Sequence, residues 1–364
     1  MPHWYYLPNA DTIASPALLV DADRVRQNIQ TAIGLAGDVA RLRPHVKTHK
    51  MAAVTRLCLD AGISRFKCAT LTEADMLART GAPDVLLAYP VVGPNVSRLR
   101  TLTQTYPATR FSCLIDHPAP AKTLSDAFAG APLDVYIDLN VGMNRTGLLP
   151  AQTGPLATAC AQLPGLRLMG LHAYDGHIRD TDATVRQQRA DEAYERAETT
   201  RQQLEAQLHR SLTIVMGGSP SFSVHSHRPA PRFETSPGTF VFWDVGYARQ
   251  VPDVPFQLAA VLLTRVISVV DAHTLTLDLG HKAVAAENPL PRVVFPEQPE
   301  ARPISQSEEH LVVDVPDSHP HQPGDVWYAF PIHICPTVAL YDSVQVIRRN
   351  ALTDRWPVDA RGRT

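Results

Sequence analysis

The stretch RLRPHVKTHK, residues 41–50, sets a lysine between two histidines as His45-x-Lys47-x-His49. The run ARLRPHV ahead of it reads as a short strand. Lys47 would then sit at the strand's C-terminal end, where α/β barrels keep their catalytic groups. A lysine sheltered there can have a depressed pKa and condense with an aldehyde cofactor as an imine. The flanking histidines are both able to exchange protons near neutral pH. Taken alone, the spacing leaves a second reading open, in which Lys47 and Lys50 are the solvated ends of a strand and a helix.

Two later stretches have the make-up of an anion cradle. IVMGGSPS puts Gly217, Gly218 and Ser219 directly after an apolar run, and ETSPGTF puts Gly238 and Thr239 after the next. Glycine lets backbone amides come close to an anion, and the hydroxyls add donors. The loops after strands seven and eight of a barrel are a common place for phosphate. YIDLNVGMNRTG carries Asp138, Asn144, Arg145 and Thr146, and LHAYDGH carries His172, Tyr174, Asp175 and His177. Arg145 has the donors to bind a cofactor oxygen or a carboxylate, or simply to close a salt bridge. Tyr174 offers a ring on which a pyridine could stack, or which is merely packed. In FPIHICPTV, His333 and Cys335 stand two apart; on a strand both would face one side and could share a cation. Imidazole with thiolate suits zinc, although two ligands alone make a weak site.

These groups need a scaffold, and the pattern of the chain predicts one. ARLRPHV, SRFKCAT, DVLLAYP, RFSCLID, DVYIDLN, LRLMGLHAY, LTIVMGG and PRFETSP alternate with helix-like stretches, among them 51–61, 71–80, 95–105, 122–128, 152–161 and the long 180–210. Such alternation argues for parallel βαβ units closing an eight-stranded α/β barrel. PALLVD precedes these runs and is placed as a lead-in segment outside the barrel. Beyond about residue 255 the runs AAVLLTRVISVV, TLTLDL, HLVVDV, DVWYAF and SVQVIRR are β-rich and lack helical periodicity. The expected organisation is a barrel over 1–255 and a smaller β domain over 256–364. Most prolines fall at the ends of the apolar runs, where turns belong.

Bulk properties narrow the class. The length of 364 residues, the 45% hydrophobic and 19% charged content and the formal net charge of −2 describe an ordinary globular chain. Nothing in them favours nucleic acid or a membrane surface as partner. The N-terminus lacks the pattern of a signal peptide, and the longest apolar run is broken by Arg265. Five cysteines, an odd number without a CxxC pair, point to a reducing, cytoplasmic setting.

Taken in order, SPALLVD, RPHVKTHK, DLNVGMNRTG, GLHAYDGH, GGSPS, SPGTFVFWD, LDLGHKA, SEEHLVV and PIHICPTV resemble the D-threonine aldolase and D-serine dehydratase family of fold-type III pyridoxal-phosphate enzymes. RPHVKTHK and HICPTV are the most specific of these marks. The resemblance covers nearly the whole chain and implies an alanine racemase-like α/β barrel with a C-terminal β domain, assembled as a homodimer. Lys47 is implied as the cofactor's Schiff-base lysine and the base at the substrate's Cα. Arg145 and Tyr174 are implied as cofactor contacts, with Gly218, Ser219, Gly238 and Thr239 as the phosphate cup. His333 and Cys335 are implied as ligands of a divalent metal, with zinc favoured over manganese or magnesium. The substrate class is 3-hydroxy-D-amino acids such as D-serine, D-threonine or 3-hydroxy-D-aspartate. Relatives with His-x-Cys include dehydratases, whereas the better-known D-threonine aldolases carry His-x-Asp. Dehydration to a 2-oxo acid and ammonia is therefore slightly preferred to retro-aldol cleavage. The GLHAYDGH region, closer to the aldolase branch, argues the other way. An amino-acid racemase would have no need of the metal pair. A lone-barrel carrier of the cofactor would not need the β domain, and a sugar-phosphate enzyme would leave RPHVKTHK unexplained.

Overall fold

A computed structural model describes residues 3–228, 232–316 and 320–363. The chain forms two compact units. One comprises Met1–Thr31, Thr48–Val54 and Thr239–Arg361, the other Ala32–Lys47, Thr55–Gly238 and Gly362–Thr364.

The first strand, β1 (Ala17–Asp21), takes no part in the barrel sheet. That sheet is parallel, with its strands side by side in sequence order: β2 (Arg65–Cys68), β3 (Asp84–Pro90), β4 (Arg110–Ile115), β5 (Leu133–Asp138), β6 (Leu166–Ala173), β7 (Thr213–Met216) and β8 (Phe233–Thr235). Parallel neighbours need a crossover. Helices Leu71–Arg79, Asn95–Thr105, Pro118–Ala127, Pro150–Ala161 and Ala183–Leu208 supply it, close to the helix-like stretches of the sequence. Thr70 caps the first of these by accepting from Glu73 N, and Asp182 caps the longest by accepting from Thr184 N and Val185 N. Leu86, Leu114, Tyr136 and Val215, from four of the strands, pack into one buried cluster.

The eighth position is filled differently from the expectation. Residues 42–45 form no regular strand but make isolated bridges, Leu42 to Thr235 and His45 to Lys67. Arg43 N donates to Thr235 O at 2.9 Å, His45 N to Pro237 O at 2.8 Å, and Lys67 N to Pro44 O at 2.8 Å. Pro44 has no N–H for a ladder, and the chain turns at once into the 3-10 helix Val46–Thr48. The segment still links β8 to β2 and so closes the ring, with Lys47 leaving at its end.

Arg43 fastens this closure. Its guanidinium, 1% exposed, bonds Glu234 of β8 at 2.5 Å and Asp84 of β3 at 2.6 Å, and Arg65 of β2 joins Glu234 at 3.1 Å.

In the other unit, β9 (Ala260–Val269), β10 (Thr274–Leu277), β11 (Val293–Val294), β12 (Arg302–Gln306), β13 (Leu311–Asp314), β14 (Val326–Pro331), β15 (Ser343–Arg348) and β16 (Ala351–Pro357) form a mixed sheet with β1. Its order is β12-β13-β10-β9-β1-β15-β16, with β14 paired to β9 and β11. All five residues of β1 are buried, as a nearly continuous apolar strand inside a sheet should be. It pairs antiparallel with β9 and parallel with β15. Tyr5, Leu19, Val261, Leu263, Phe330 and Ile347 belong to one core cluster of this unit.

Replacing Arg43 with Met would leave the Glu234 carboxylate buried without its main partner. The variant is expected to lose about 3–5 kcal/mol of stability, read as a lowered midpoint in denaturant or thermal unfolding.

Candidate active site

In the barrel unit the ring of Tyr174, just beyond β6, is the common neighbour of three cations. The Arg145 guanidinium carbon lies 4.9 Å from its centroid, Lys47 Nζ 5.5 Å and Lys67 Nζ 5.8 Å. Each is within reach of the electron-rich ring face. Lys47 is half-buried, and its N–H donates to His45 Nδ1 at 3.2 Å. Thr146, next to Arg145, donates to Asp138 at 2.7 Å and so ties that loop to the end of β5.

The two glycine loops also meet. Gly238 N donates to Ser219 Oγ at 3.3 Å, and Gly218 N to Ser221 Oγ at 3.3 Å. Gly217 has a φ of +86°, and a Cβ on Gly218 would come within 2.9 Å of Tyr174 Cε2. Glycine is thus required at 217 by conformation and at 218 by the ring. Beneath the loop, Asp175 accepts from Ser221 Oγ at 2.8 Å and pairs with His225 at 2.7 Å. Asp175 is 1% exposed and His225 fully buried. Burial opposes the Asp175 charge, but His225 and the Ser221 hydroxyl outweigh it and hold the carboxyl below its usual range. Asp175 therefore couples the end of β6 to the GGSPS turn.

Thr239 falls in the sheet unit, where its hydroxyl lies 3.3 Å from Cys335 Sγ; Thr48 Oγ1 lies 3.1 Å from the same sulfur. Here the expectation of a strand carrying both His333 and Cys335 is corrected. Strand β14 ends at Pro331, His333 is the N-cap of a short helix Ile334–Val338, and Cys335 lies in its first turn. The buried Asp244 carboxylate captures Ile334 N at 3.0 Å while Gly246 N donates to Ile332 O at 3.0 Å, so the backbone is bent into the turn. The Cys335 sulfur is nevertheless near enough to the His333 ring to favour its charged form. Glu287 lies 2.5 Å from His333 Nδ1. Burial disfavours the imidazolium, but Cys335, Glu287 and Asp244 outweigh it and raise the His333 pKa to about 9. Burial pushes Asp244 up to about 6. Among the described residues no group of three His, Cys, Asp or Glu side chains converges as a closed metal site. A two-ligand arrangement suits an open catalytic ion rather than a closed structural one.

His49 also departs from expectation. It is buried and accepts from Met51 N at 3.0 Å, and burial lowers its pKa to about 3, so it exchanges no proton near neutrality. The structure adds Lys67, Ser221, His225 and Glu287 to the residues named from the sequence. A charge inside the apolar run RFKC was the one available signal for Lys67. Ser221, His225 and Glu287 lie in loops or short turns whose neighbours only the fold reveals.

The alanine racemase N-terminal domain family matches residues 20–244, and a putative serine dehydratase domain matches residues 259–347. A D-threonine aldolase from an Arthrobacter species is 30% identical over 96% of this chain and 93% of its own length. The chain belongs to the D-threonine aldolase and D-serine dehydratase family. It is a pyridoxal-phosphate-dependent lyase with an alanine racemase-like fold. A 3-hydroxy-D-aspartate aldolase of Paracoccus denitrificans is 28% identical over 98% of this chain and 95% of its own. A D-threo-3-hydroxyaspartate dehydratase of a Delftia species is 29% identical over 64% and 62%. The crystal structure of D-threonine aldolase from Filomicrobium marinum superposes with a TM-score of 0.88 at 30% identity, covering 97% of this chain and 96% of that one.

Two outcomes follow from the geometry. His225→Ala, which strips Asp175 of its buried partner, should weaken pyridoxal-phosphate binding to the apoprotein by roughly tenfold or more, measured by absorbance titration. Glu287→Gln should lower the protein's affinity for an added divalent cation about 10–100-fold, measured by competition with a chromogenic chelator.

Proposed function

We propose that the chain is a pyridoxal-phosphate- and divalent-metal-dependent lyase of 3-hydroxy-D-amino acids that eliminates water from D-serine, D-threonine or 3-hydroxy-D-aspartate. The 2-oxo acid and ammonia are the products, and the enzyme works as a cytoplasmic homodimer. The observation that carries the reading is the paired thiol and imidazole of Cys335 and His333 in a chain whose barrel presents the Lys47 amine to Tyr174. The D configuration and the 3-hydroxyl are supported by the substrates for which the Arthrobacter, Paracoccus and Delftia relatives are named. All five cysteines are free, in keeping with a reducing compartment, and no described helix is long and apolar enough to cross a membrane. The homodimer rests on the family alone.

The residues fit the cofactor. An amine and a guanidinium stand over an aromatic ring, and the Gly218 and Gly238 amides make only 3.3 Å hydrogen bonds to serine hydroxyls, donors that a phosphate can take over. Pyridoxal phosphate supplies an electron sink for charge developing at the substrate's Cα. In this proposal Lys47 binds the cofactor and removes the Cα proton, Tyr174 and Arg145 orient its ring, and Gly218, Ser219, Gly238 and Thr239 hold its phosphate. The donor set at His333 and Cys335 also fits, because thiolate with imidazole favours zinc. A zinc ion supplies Lewis-acid polarisation of the β-oxygen. Glu287 fixes the orientation of the His333 ring through Nδ1.

Retro-aldol cleavage to glycine and an aldehyde is the second reading. It is favoured by relatives matched over most of their length and named aldolases, the Arthrobacter and Paracoccus proteins among them. The thiol ligand argues for elimination, since an aldolase needs a base for the hydroxyl proton and suits a harder, carboxylate-held ion.

Borohydride reduction of the holoenzyme followed by peptide mapping should place the pyridoxyl group on Lys47; an adduct elsewhere contradicts the assignment. Incubation with D-serine, D-threonine and D-threo-3-hydroxyaspartate should release ammonia and 2-oxo acids, and chelation should stop it while the cofactor's visible absorbance stays. Glycine with an aldehyde and no ammonia would decide for the aldolase.

A further inference from the structure

Lys67 is a basic group for which the proposed function has no use. It projects from β2 into the barrel interior, 2% exposed. Its Nζ lies 3.5 Å from His172 Nε2, and the other ring nitrogen of His172 is 2.7 Å from Asp138 Oδ1. The second Asp138 oxygen accepts from Thr146 at 2.7 Å. Lysine, histidine and carboxylate thus form a buried chain across β2, β6 and β5. Its amine end, like that of Lys47, lies near the ring of Tyr174, at 5.8 and 5.5 Å from the centroid respectively.

We propose that Lys67, backed by His172 and Asp138, is a positioning residue that accepts the proton which Lys47 must shed before its nitrogen can attack a carbonyl. The step moves one proton and nothing else: the Lys47 ammonium becomes a free amine with a lone pair, and the Lys67 amine becomes an ammonium. An ammonium has no lone pair with which to form a C–N bond, so imine formation by Lys47 requires this loss. The inference rests on the pyridoxal-phosphate reading of Lys47.

The surroundings suit an acceptor. Burial first, and the Lys47 charge second, lower the Lys67 pKa to about 7. Arg43, in the segment that closes the barrel, pushes the same way, while Asp175 beyond β6 and Asp138 on β5 oppose it. His172 is itself lowered, by burial and then by Lys67 and Arg145 against the pull of Asp138. Burial resists ionisation of Asp138, yet its bonds to His172 and Thr146 and the charge of Arg145 hold it below the usual carboxylate range. The anion at the far end of the chain is thus in place before the proton arrives. Near neutral pH Lys67 therefore holds a free lone pair, the state that a proton acceptor must be in.

Two measurements on the apoprotein test this. NMR of labelled lysine side chains should show Lys67 titrating near neutrality, and Lys47→Met should move that midpoint up by roughly one pH unit. Stopped-flow absorbance should show pyridoxal phosphate reacting with Lys67→Met at least about tenfold more slowly than with wild type at neutral pH. The pH midpoint of that rate should also move upward, a change that a purely structural defect would not produce. If Lys67→Met does not fold, His172→Gln and the wild-type titration carry the test. A Lys67 midpoint near that of a solvated lysine, unaffected by residue 47, overturns the proposal, as does an unchanged pH profile of loading. If the two lysines are coupled but no pyridoxyl adduct forms on Lys47, the cofactor reading fails instead. If the adduct forms without coupling, this inference alone fails.

Discussion

A parallel barrel is held together only if its last strand finds its first, and here that junction is made by a segment too irregular to be a strand. Residues 42–45 contribute a few backbone hydrogen bonds and one guanidinium, Arg43, which reaches Glu234 on one side and Asp84 on the other. Burying such a charge is costly unless every donor is matched, and the matching partners come from strands that must already be in register. Closure and strand order are therefore specified together. Because Pro44 stops the ladder and Val46–Thr48 turns away, the Lys47 side chain is delivered by a break in the sheet.

The second organising element is Tyr174. Its ring gathers Arg145, Lys47 and Lys67, and it sets the requirement for glycine at 218. Asp175, its neighbour in sequence, fixes the glycine loop through Ser221 and His225. One strand end thus governs both the cluster of basic side chains and the glycine loop. Lys67, Asp175 and His225 are buried there at a cost in desolvation that a purely structural core would avoid, a pattern typical of functional sites.

Most of this scaffold was legible in the sequence. Alternating apolar runs and helical stretches mapped onto strands and crossovers because both periodicities are local properties. What was hidden depended on partners far along the chain. ARLRPHV has the composition of a strand, yet one proline and the turn after it decide otherwise. HICPTV follows a strand and reads as more of it, but Asp244, some ninety residues earlier, captures the Ile334 amide and bends it into a helix. His49 looked like a proton-exchanging residue by type, and only its burial shows that it is not. Lys67 stands in the strand run SRFKCAT with no neighbour in sequence to single it out, since neither Asp138 nor His172 is near it there.

The cysteines carry a consequence of their own. Cys58, Cys68, Cys113 and Cys160 are buried, and burial pushes the thiols of Cys58 and Cys113 up to about 12 and that of Cys160 to about 11. Sulfur in that state is a poor nucleophile toward peroxide. Cys335 alone is partly open to solvent, and it is the thiol with His333 for a neighbour. Among the cysteines, oxidation therefore falls first on Cys335, and its conversion to a sulfenic acid takes a soft donor from beside His333.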